Sequence, residues 1–498
     1  MKVKIKYDKD FIIGKVDRKI TGSFVEHLNR CVYEGIYEPT HPTADRLGFR
    51  KDVKTLIKEF GISLLRYPGG NFVSAYDWKD GIGPRDKRPV KWNLAWGTKE
   101  TNQVGIDEFI QYAKELGSEI MMSVNMGTGT SKDAAELVEY CNVDGGTFYS
   151  DLRRKNGYEN PYNIKIWCVG NEMDGPWQMG QMEAREYAIK YRETAKMMKS
   201  VCSDISLVAC GSCSNESEHL SFGIWDRIVL EEAYEWIDYL SLHRYYGYDI
   251  EQKLLYPRIE TLKDAPWMAK DLEEMIKTVL AAADYVKGIR KSDHEIMISF
   301  DELSILPHYA KCSDGYQYDV YSQYDAVLYG GLLCILLNNS DRVKINCQAL
   351  LVNENGMFTT FTGGKTLIQT IAYPFRDIAA CVNGNVLQQV GEWPEIETDH
   401  YGNVPCAVSS CIYLEEKKEL ILLVANNTLE QRLELEMTVA GFEEIVPVKW
   451  TELYTEDIYA RNDEENPQRV YPIIKKLESM KNIAIRPHSW NVFQFTVK

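Results

Sequence analysis

The alternation of apolar runs with helical patterns restricts the fold of this 498-residue chain more than any other feature. A short apolar run closed by a turn signal predicts a buried strand of a parallel sheet. Apolar residues that recur every three or four positions predict a helix between two such strands. Eight runs are found, at residues 20–25, 62–67, 119–124, 164–169, 206–210, 237–242, 295–300 and 343–351.

Eight strand–helix units predict an α/β protein with a (β/α)₈ barrel, the TIM-barrel architecture. Two of the predicted helices end at glycines, Gly61 and Gly117, as helices commonly do. The alternative is a doubly wound open sheet. That fold would place a glycine-rich phosphate-binding turn after the first strand, and Thr21-Gly22-Ser23 does not have this pattern.

After about residue 380 the pattern changes to short strands with alternating polarity. Leu433, Leu435, Met437 and Val439 alternate with polar residues, which predicts half-buried strands of an antiparallel β-sandwich. The N-terminal strand needs a surface on which to bury one face, so we expect it to complete this sandwich. The predicted domains are a barrel at residues 18–378 and a β-sandwich formed by residues 1–17 and 379–498.

Composition excludes several classes of function. The formal net charge of −16 argues against a nucleic-acid-binding surface, which needs clustered Lys and Arg. The N-terminus lacks an apolar stretch of signal-peptide length, and no apolar run is long enough to span a membrane. We therefore expect a cytoplasmic protein whose twelve cysteines are reduced core residues. The pair Cys210 and Cys213 forms a CxxC motif, but no second pair or nearby His supports a metal or redox site.

Polar residues follow most of the predicted strands. The carboxyl ends of barrel strands meet at one mouth, where enzymes of this architecture carry their active sites. We therefore expect a single cluster at this mouth. Its candidate members are Glu26, His27, Arg66, Asn71, Asn125, Asn171, Glu172, His243, Tyr245, Asp301, Glu302, Gln348 and Asn353.

Two carboxylates carry the chemical prediction, Glu172 after the fourth strand and Glu302 after the seventh. Glycoside hydrolysis needs such a pair, because one carboxyl must be protonated to release the leaving oxygen while the other must be ionised. The neutral hydrogen-bonding residues around them suit sugar hydroxyls. A two-metal site would need more acidic or His ligands, so we expect no metal and no cofactor.

Each neighbouring residue also has a structural interpretation. Arg66 and His243 could orient other groups, and Tyr245 could be a packing residue. Asp301 would point away from Glu302 if the strand continues, because successive side chains of a strand face opposite sides. The long segment from residue 68 to about 102 carries several aromatic residues. It is interpreted as the rim of the cleft, or as a cover over the barrel.

The motifs at these positions resemble the intracellular bacterial α-L-arabinofuranosidases of glycoside hydrolase family 51. The resemblance runs from about residue 20 to the C-terminus, and it rests on motifs spread along that length. They are GSFVEHLNRCVYEGIYEP, RYPGGNFVSAYDWKDGIGP, LAWGTKETNQVGIDEF, WCVGNEMDG, SLHRYYG, SFDE and RPHSWNV.

The resemblance implies a retaining enzyme that releases terminal arabinofuranosyl units from arabinose-containing oligosaccharides. Enzymes of this family are often hexamers, so the resemblance also implies a homo-oligomer. By motif, Glu172 matches the acid/base and Glu302 the nucleophile. Four further residues match positions that contact the sugar: Glu26, Asn71, Asn171 and Tyr245. Gln348 and His243 complete the predicted substrate-binding set.

The sequence departs from the family pattern at three places. Leu303-Ser304-Ile305 replaces the usual Trp-Asn-Val, and Leu350 aligns with a Gln that contacts the sugar. Gln348, two residues earlier and on the same strand face, could partly substitute for it. Asn29 replaces a usual glycine. Two other hypotheses therefore stay open: a glycosidase of the same mechanism with another glycone, such as a β-xylosidase or endoglucanase, and a carbohydrate-binding protein without catalysis.

Overall fold

Eight parallel strands close into a barrel in the computed structural model, which describes residues 1–214, 222–248, 258–259, 261–311 and 317–498. Each strand pairs with the next one along the chain, and β8 returns to β1. The prediction of a (β/α)₈ barrel is therefore confirmed. The strands are β1 (Gly22–Phe24), β2 (Leu64–Tyr67), β3 (Glu119–Val124), β4 (Ile166–Val169), β5 (Ser206–Cys210), β6 (Tyr239–Tyr248), β7 (Met297–Ile305) and β8 (Val343–Gln348).

Helices follow the strands and surround the barrel. Gly117 ends α2 with a φ of +75°, and Gly61 follows α1 with a φ of +70°, so both predicted stops occupy the left-handed region that glycine favours. The helices are α1 (Lys51–Glu59), α2 (Ile106–Leu116), α3 (Ser131–Asn142), α4 (Phe148–Lys155), α5 (Ala184–Val201), α6 (Ile224–Ala233), α7 (Trp267–Arg290), α8 (Gln323–Asn338) and α9 (Ala372–Ala379).

Strands β6 and β7 run further than their apolar runs predict. They pair up to Tyr246 and Ile305, with a register irregularity between Ser241 and His243. The polar residues that were expected after these strands therefore lie within them. His243 stands opposite Glu302 in the ladder, and this pairing brings residues of two strands into the same part of the mouth.

Two larger sheets lie in the C-terminal region. A seven-stranded antiparallel sheet contains, in order, Ile12–Lys15, Asn385–Leu387, Ala407–Leu414, Glu419–Asn426, Ser489–Val497, Ile445–Leu453 and Ile473–Lys476. In the three-stranded sheet, Leu433–Ala440 lies between Ile483–Ile485 and the N-terminal strand Lys2–Asp8. The N-terminal strand thus joins this region as predicted, but its pairing is parallel.

The central strands of the seven-stranded sheet are buried on both faces. Leu420, Leu422 and Val424 pack towards the three-stranded sheet, while Ile421 and Leu423 join the core of the barrel. Helix α8, which is buried over nearly its whole length, lies at this junction. A helix covered on all sides has to be apolar all round, which explains its composition.

Gly330 in α8 allows close approach of the sheet. A Cβ at this position would lie 2.5 Å from the ring of Trp490. The barrel and the seven-stranded sheet therefore share packed surface, and the domain limits at residues 17/18 and 378/379 stay predictions. Within the described part of the chain, no helix is both long enough and apolar enough to cross a membrane.

Candidate active site

The turn after β4 presents Glu172. All four residues of β4 are buried, and the chain then turns at Gly170, which has a φ of +107°. Glu172 itself has a φ of +45°, an uncommon conformation for a residue with a side chain. The Gly175 N–H donates to the Glu172 carbonyl at 2.8 Å and closes the turn. The backbone thus directs the Glu172 side chain back over the barrel mouth.

Two neighbours contact the Glu172 carboxylate. Its Oε1 lies 2.9 Å from Nδ1 of His243, and its Oε2 accepts a hydrogen bond from the indole N–H of Trp177 at 2.6 Å. The side chain is 10% exposed. Trp177 is a site residue that the sequence analysis missed, although it follows Glu172 by only five positions.

Glu302 lies on β7, with its side chain 7% exposed. Its Oε1 accepts a hydrogen bond from Nη1 of Arg66 at 2.7 Å, and its Oε2 accepts one from the hydroxyl of Tyr245 at 2.6 Å. Arg66 could orient other groups and Tyr245 could be a packing residue according to the sequence. In the structure each of them contacts a candidate catalytic carboxylate directly.

The two carboxylates face each other across a short gap. One oxygen of Glu172 and one of Glu302 lie within 4.8 Å of each other. His243 stands between them, with its Nδ1 3.5 Å from Oε2 of Glu302. This spacing is close to the roughly 5–5.5 Å of retaining glycosidases, whereas inverting enzymes need about 6.5–9.5 Å for an intervening water.

His243 is surrounded by acidic groups. Burial alone would lower the pKa of His243, but the nearby carboxylates of Glu302, Asp301 and Glu172 raise it well above its usual value. Asp301 is also held by charge, because burial would raise its pKa whereas Arg66 and His243 lower it. Asp301 lies beneath the pair, where it accepts a hydrogen bond from Ser241.

Arg66 links several of the predicted residues. Its Nη2 donates to Oδ1 of Asn171 at 2.6 Å, and the Asn171 amide donates in turn to Oδ1 of Asn71 at 3.2 Å. The guanidinium also lies over the ring of Phe24. Residues that follow β2 and β4 are thus joined to Glu302 by one continuous hydrogen-bond network.

Glu26 forms another wall of the mouth. Its Oε1 accepts hydrogen bonds from the Phe72 N–H at 2.8 Å and from the Trp96 indole at 3.0 Å. Burial raises the pKa of Glu26 to about 8 in spite of these two bonds. At neutral pH its carboxyl is therefore protonated and can donate a hydrogen bond. The long segment after β2 supplies both partners, which favours its interpretation as a cleft wall.

Gln348 is bonded to the protein itself. Its Nε2 donates to Oγ of Ser304 at 2.8 Å and to the carbonyl of Asn355 at 3.0 Å. The residue is completely buried, and the sugar contact that the sequence suggests for it stays a prediction. Leu350 is 3% exposed and lies just after β8.

Two other candidates, Asn125 and Asn353, hydrogen-bond to the backbone of nearby loops. Asn125 caps its own turn by accepting from the N–H groups of Thr128 and Gly129. Asn353 donates to the carbonyl of Arg30. Asn29 has a φ of +40°, a region that glycine favours and asparagine tolerates, so it can replace the family's usual glycine.

The described residues contain one group with the geometry of a metal site, formed by Glu172, His243 and Glu302. Arg66 already brings a positive charge to the Glu302 carboxylate at 2.7 Å, and this charge opposes a cation there. The CxxC motif is not part of that group. Burial raises the pKa of Cys210 to about 12 and that of Cys213 well above its usual value, so neither is a ready thiolate ligand.

Known proteins match this chain along nearly its whole length. Residues 56–260 match the family model described as alpha-L-arabinofuranosidase 1 domain, and residues 301–489 match the alpha-L-arabinofuranosidase C-terminal domain. The intracellular exo-alpha-(1->5)-L-arabinofuranosidase 1 of Bacillus subtilis is 42% identical, with 99% of each chain covered. The chain belongs to the α-L-arabinofuranosidases of glycoside hydrolase family 51.

Other relatives share the fold of this chain but differ in the linkage that their names give. A family 51 α-L-arabinofuranosidase from Bifidobacterium longum superposes with a TM-score of 0.90 at 37% identity, with 99% of each chain covered. An exo-alpha-(1->6)-L-arabinofuranosidase, also from Bifidobacterium longum, is 39% identical over 93% of this chain and 90% of its own. Relatives of similar identity therefore carry names with different linkages.

Proposed function

We propose that this α-L-arabinofuranosidase is a retaining exo-hydrolase that removes terminal, non-reducing α-L-arabinofuranosyl units from short arabino-oligosaccharides. The observation that carries the proposal is the facing pair Glu172 and Glu302, with oxygens within 4.8 Å of each other. Such a gap lets a carboxylate reach the anomeric carbon directly, without an intervening water.

Glu302 acts as the nucleophile. Arg66 and Tyr245 donate one hydrogen bond to each of its oxygens, which fixes the carboxylate before the sugar arrives. Attack on the anomeric carbon forms a covalent glycosyl–enzyme intermediate, and the bond to the leaving oxygen breaks.

Glu172 acts as the acid and then as the base. It gives its proton to the leaving oxygen in the first step and takes one from water in the second. His243 lies against both carboxylates, at 2.9 Å from Glu172 and 3.5 Å from Glu302. Its positive charge offsets the negative charge that the pair carries when both groups are ionised.

Glu26, Asn71 and Asn171 form the hydroxyl-binding wall of the proposed sugar site. A protonated Glu26 can donate a hydrogen bond, while the two amides offer both donors and acceptors. Arabinofuranose is the expected sugar because the named relatives act on it. The named relatives differ in linkage, so the proposal extends to the arabinofuranosyl unit and not to the sugar that it is linked to.

The decisive experiment is an aryl glycoside panel with purified protein. We expect aryl α-L-arabinofuranoside to be the best substrate, with product of retained configuration by NMR, and Leu350→Gln should not impair its cleavage. If aryl β-D-xylopyranoside or β-D-glucoside is cleaved about tenfold faster than aryl α-L-arabinofuranoside, the enzyme acts on a different glycone. No turnover of any glycoside would instead favour a carbohydrate-binding protein without catalysis.

Three further expectations belong to this proposal. The reaction should need no metal, so treatment with a chelator should leave the rate unchanged. A location in the cytoplasm fits the names of the relatives, which are called intracellular. A homo-oligomer, with a hexamer as the expected size, is proposed from the family resemblance, and light scattering would measure it.

A further inference from the structure

Asp174 is a buried carboxylate close to the proposed acid/base, and the mechanism above does not use it. It lies two residues after Glu172 in the same turn and is 5% exposed. Its Oδ2 accepts a hydrogen bond from the backbone N–H of Cys213 at 3.0 Å. Its other oxygen, Oδ1, is buried and has no hydrogen-bond partner among the residues that the structure describes.

The bond to Cys213 connects the Glu172 turn to residues 211–214, which follow β5 and are called the β5 loop here. Ser212 of this segment is held in turn, because Asp226 accepts hydrogen bonds from its N–H and its hydroxyl. The carbonyl of Ser212 accepts a hydrogen bond from the His243 N–H at 3.3 Å. Since the His243 side chain contacts Glu172, the contacts form a closed ring.

This ring fixes both ends of the Glu172–His243 contact. One end is the backbone turn that carries Glu172, and the other is the strand that carries His243. Asp174 is the side chain that joins the two through the β5 loop. We propose that Asp174 is a positioning residue, which holds the Glu172 carboxyl at the leaving oxygen by fastening its turn to Cys213.

The inference rests on the proposed acid/base role of Glu172, and it gives the buried CxxC segment a part in the site. A buried carboxylate with one unsatisfied oxygen is costly when ionised. In agreement, burial raises the pKa of Asp174 to about 7. A neutral acceptor should therefore serve as well as a carboxylate, and asparagine keeps such an acceptor.

The test compares kcat/KM, which reports the step in which the leaving group departs, on a substrate with a poor leaving group, an alkyl α-L-arabinofuranoside, and on an activated aryl α-L-arabinofuranoside. Asp174→Ala should lower kcat/KM about tenfold on the alkyl substrate and less than about twofold on the aryl one. This loss is smaller than the roughly 10²–10⁴-fold that a general acid contributes, because the variant displaces Glu172 without removing it. Asp174→Asn should restore most of the alkyl activity.

Asp107 supplies a matched control. It is also a buried carboxyl, with hydrogen bonds from Tyr140 and Tyr162, but it lies on α2. Asp107→Ala should lower thermal stability while leaving the alkyl-to-aryl ratio unchanged. If Asp174→Ala folds poorly, Asp174→Ser, which is too short to reach Cys213, is measured in its place.

A double variant tests whether Asp174 acts through Glu172. In the Glu172→Ala background, Asp174→Ala should change kcat/KM on the alkyl substrate by less than about twofold. The inference is overturned if the alkyl-to-aryl ratio is unchanged in Asp174→Ala, if Asp174→Asn is as impaired as Asp174→Ala, or if the two substitutions multiply. A wild-type enzyme that cleaves neither arabinofuranoside, or a Glu172→Ala variant without leaving-group dependence, would instead contradict the proposed function.

Discussion

The two sides of the cleft hold their glutamates in different ways. Glu302 lies within strand β7, is 7% exposed, and has a charged guanidinium and a phenol as its donors. Glu172 lies on a turn with a left-handed backbone, is 10% exposed, and contacts an imidazole and an indole. The difference is therefore one of backbone and of charge, while burial differs little.

This difference matches the two tasks in a retaining mechanism. A nucleophile must be ionised and fixed, and Arg66 supplies a permanent charge because a guanidinium does not titrate in proteins. An acid/base must give up and regain a proton in each cycle. Its neighbour His243 is itself titratable and can respond to that change in charge. Variants on each side of the cleft test whether the surroundings of Glu172 and of Glu302 act as separately as this comparison implies.

The largest effect should come from removing the carboxylates one at a time. Glu302→Ala should abolish turnover of every substrate, because no other group is positioned to attack. Glu172→Ala should lose roughly 10²–10⁴-fold on substrates with poor leaving groups and far less on activated aryl glycosides. Steady-state kinetics across leaving groups of graded acidity measures this contrast.

Azide provides the control for the first prediction. A small anion can take the place of the missing base, so azide should rescue Glu172→Ala and give a glycosyl azide of retained configuration. If azide instead rescues Glu302→Ala and gives a product of retained configuration, the roles of the two glutamates are reversed. If Glu172→Ala lowers the rate equally on good and poor leaving groups, Glu172 is not the acid.

Arg66 should give the next largest effect, because its fork contacts Glu302 and Asn171 together. Lysine keeps the charge but cannot make both contacts in the same geometry. A hydrogen bond to a charged group is worth about 1.5–3 kcal/mol, so Arg66→Lys should lower kcat/KM by about one to two decades on all leaving groups. A loss confined to poor leaving groups would mean that Arg66 serves the Glu172 side instead.

The sequence located most of this site because strand ends of a barrel converge. Glu172, Asn171, Arg66 and Asn71 could be placed at the mouth from the apolar runs that precede them. The extension of β6 and β7 could not be predicted, since charged or polar residues interrupt their apolar runs, at His243-Arg244 and at Asp301-Glu302. His243 pairs with Glu302 across the two strands, and such pairing is a tertiary property.

Other features depend on contacts between distant residues. The indole contact of Trp177 requires the left-handed turn at Glu172, and a single sequence contains no signal for that conformation at a glutamate. The parallel pairing of Lys2–Asp8 with Leu433–Ala440 also joins opposite ends of the chain. Alternating polarity predicts a strand and its buried face, but it does not predict the direction of its partner.

A smaller effect should appear in the pH profile through Glu26. Its pKa of about 8 means that the group donates a hydrogen bond below that pH and loses this ability above it. The wild-type log kcat/KM should therefore fall with an additional proton dependence as the pH rises through about 8. Glu26→Gln stays neutral and should lack this extra step. The same alkaline slope in both proteins would contradict a donor role.

The smallest effects should come from a matched pair of substitutions, Trp177→Phe and Tyr245→Phe. Each removes one neutral donor, from Glu172 and from Glu302 respectively, and keeps an aromatic ring. The net value of such a hydrogen bond is about 0.5–1.5 kcal/mol, which corresponds to roughly two- to tenfold in rate.

Trp177→Phe should slow only substrates with poor leaving groups, because it disturbs proton donation. Tyr245→Phe should slow all substrates to a similar degree, because every one of them needs the nucleophile. If both variants show the same dependence on the leaving group, the hydrogen bonds couple through His243, and the two sides of the cleft act as one unit.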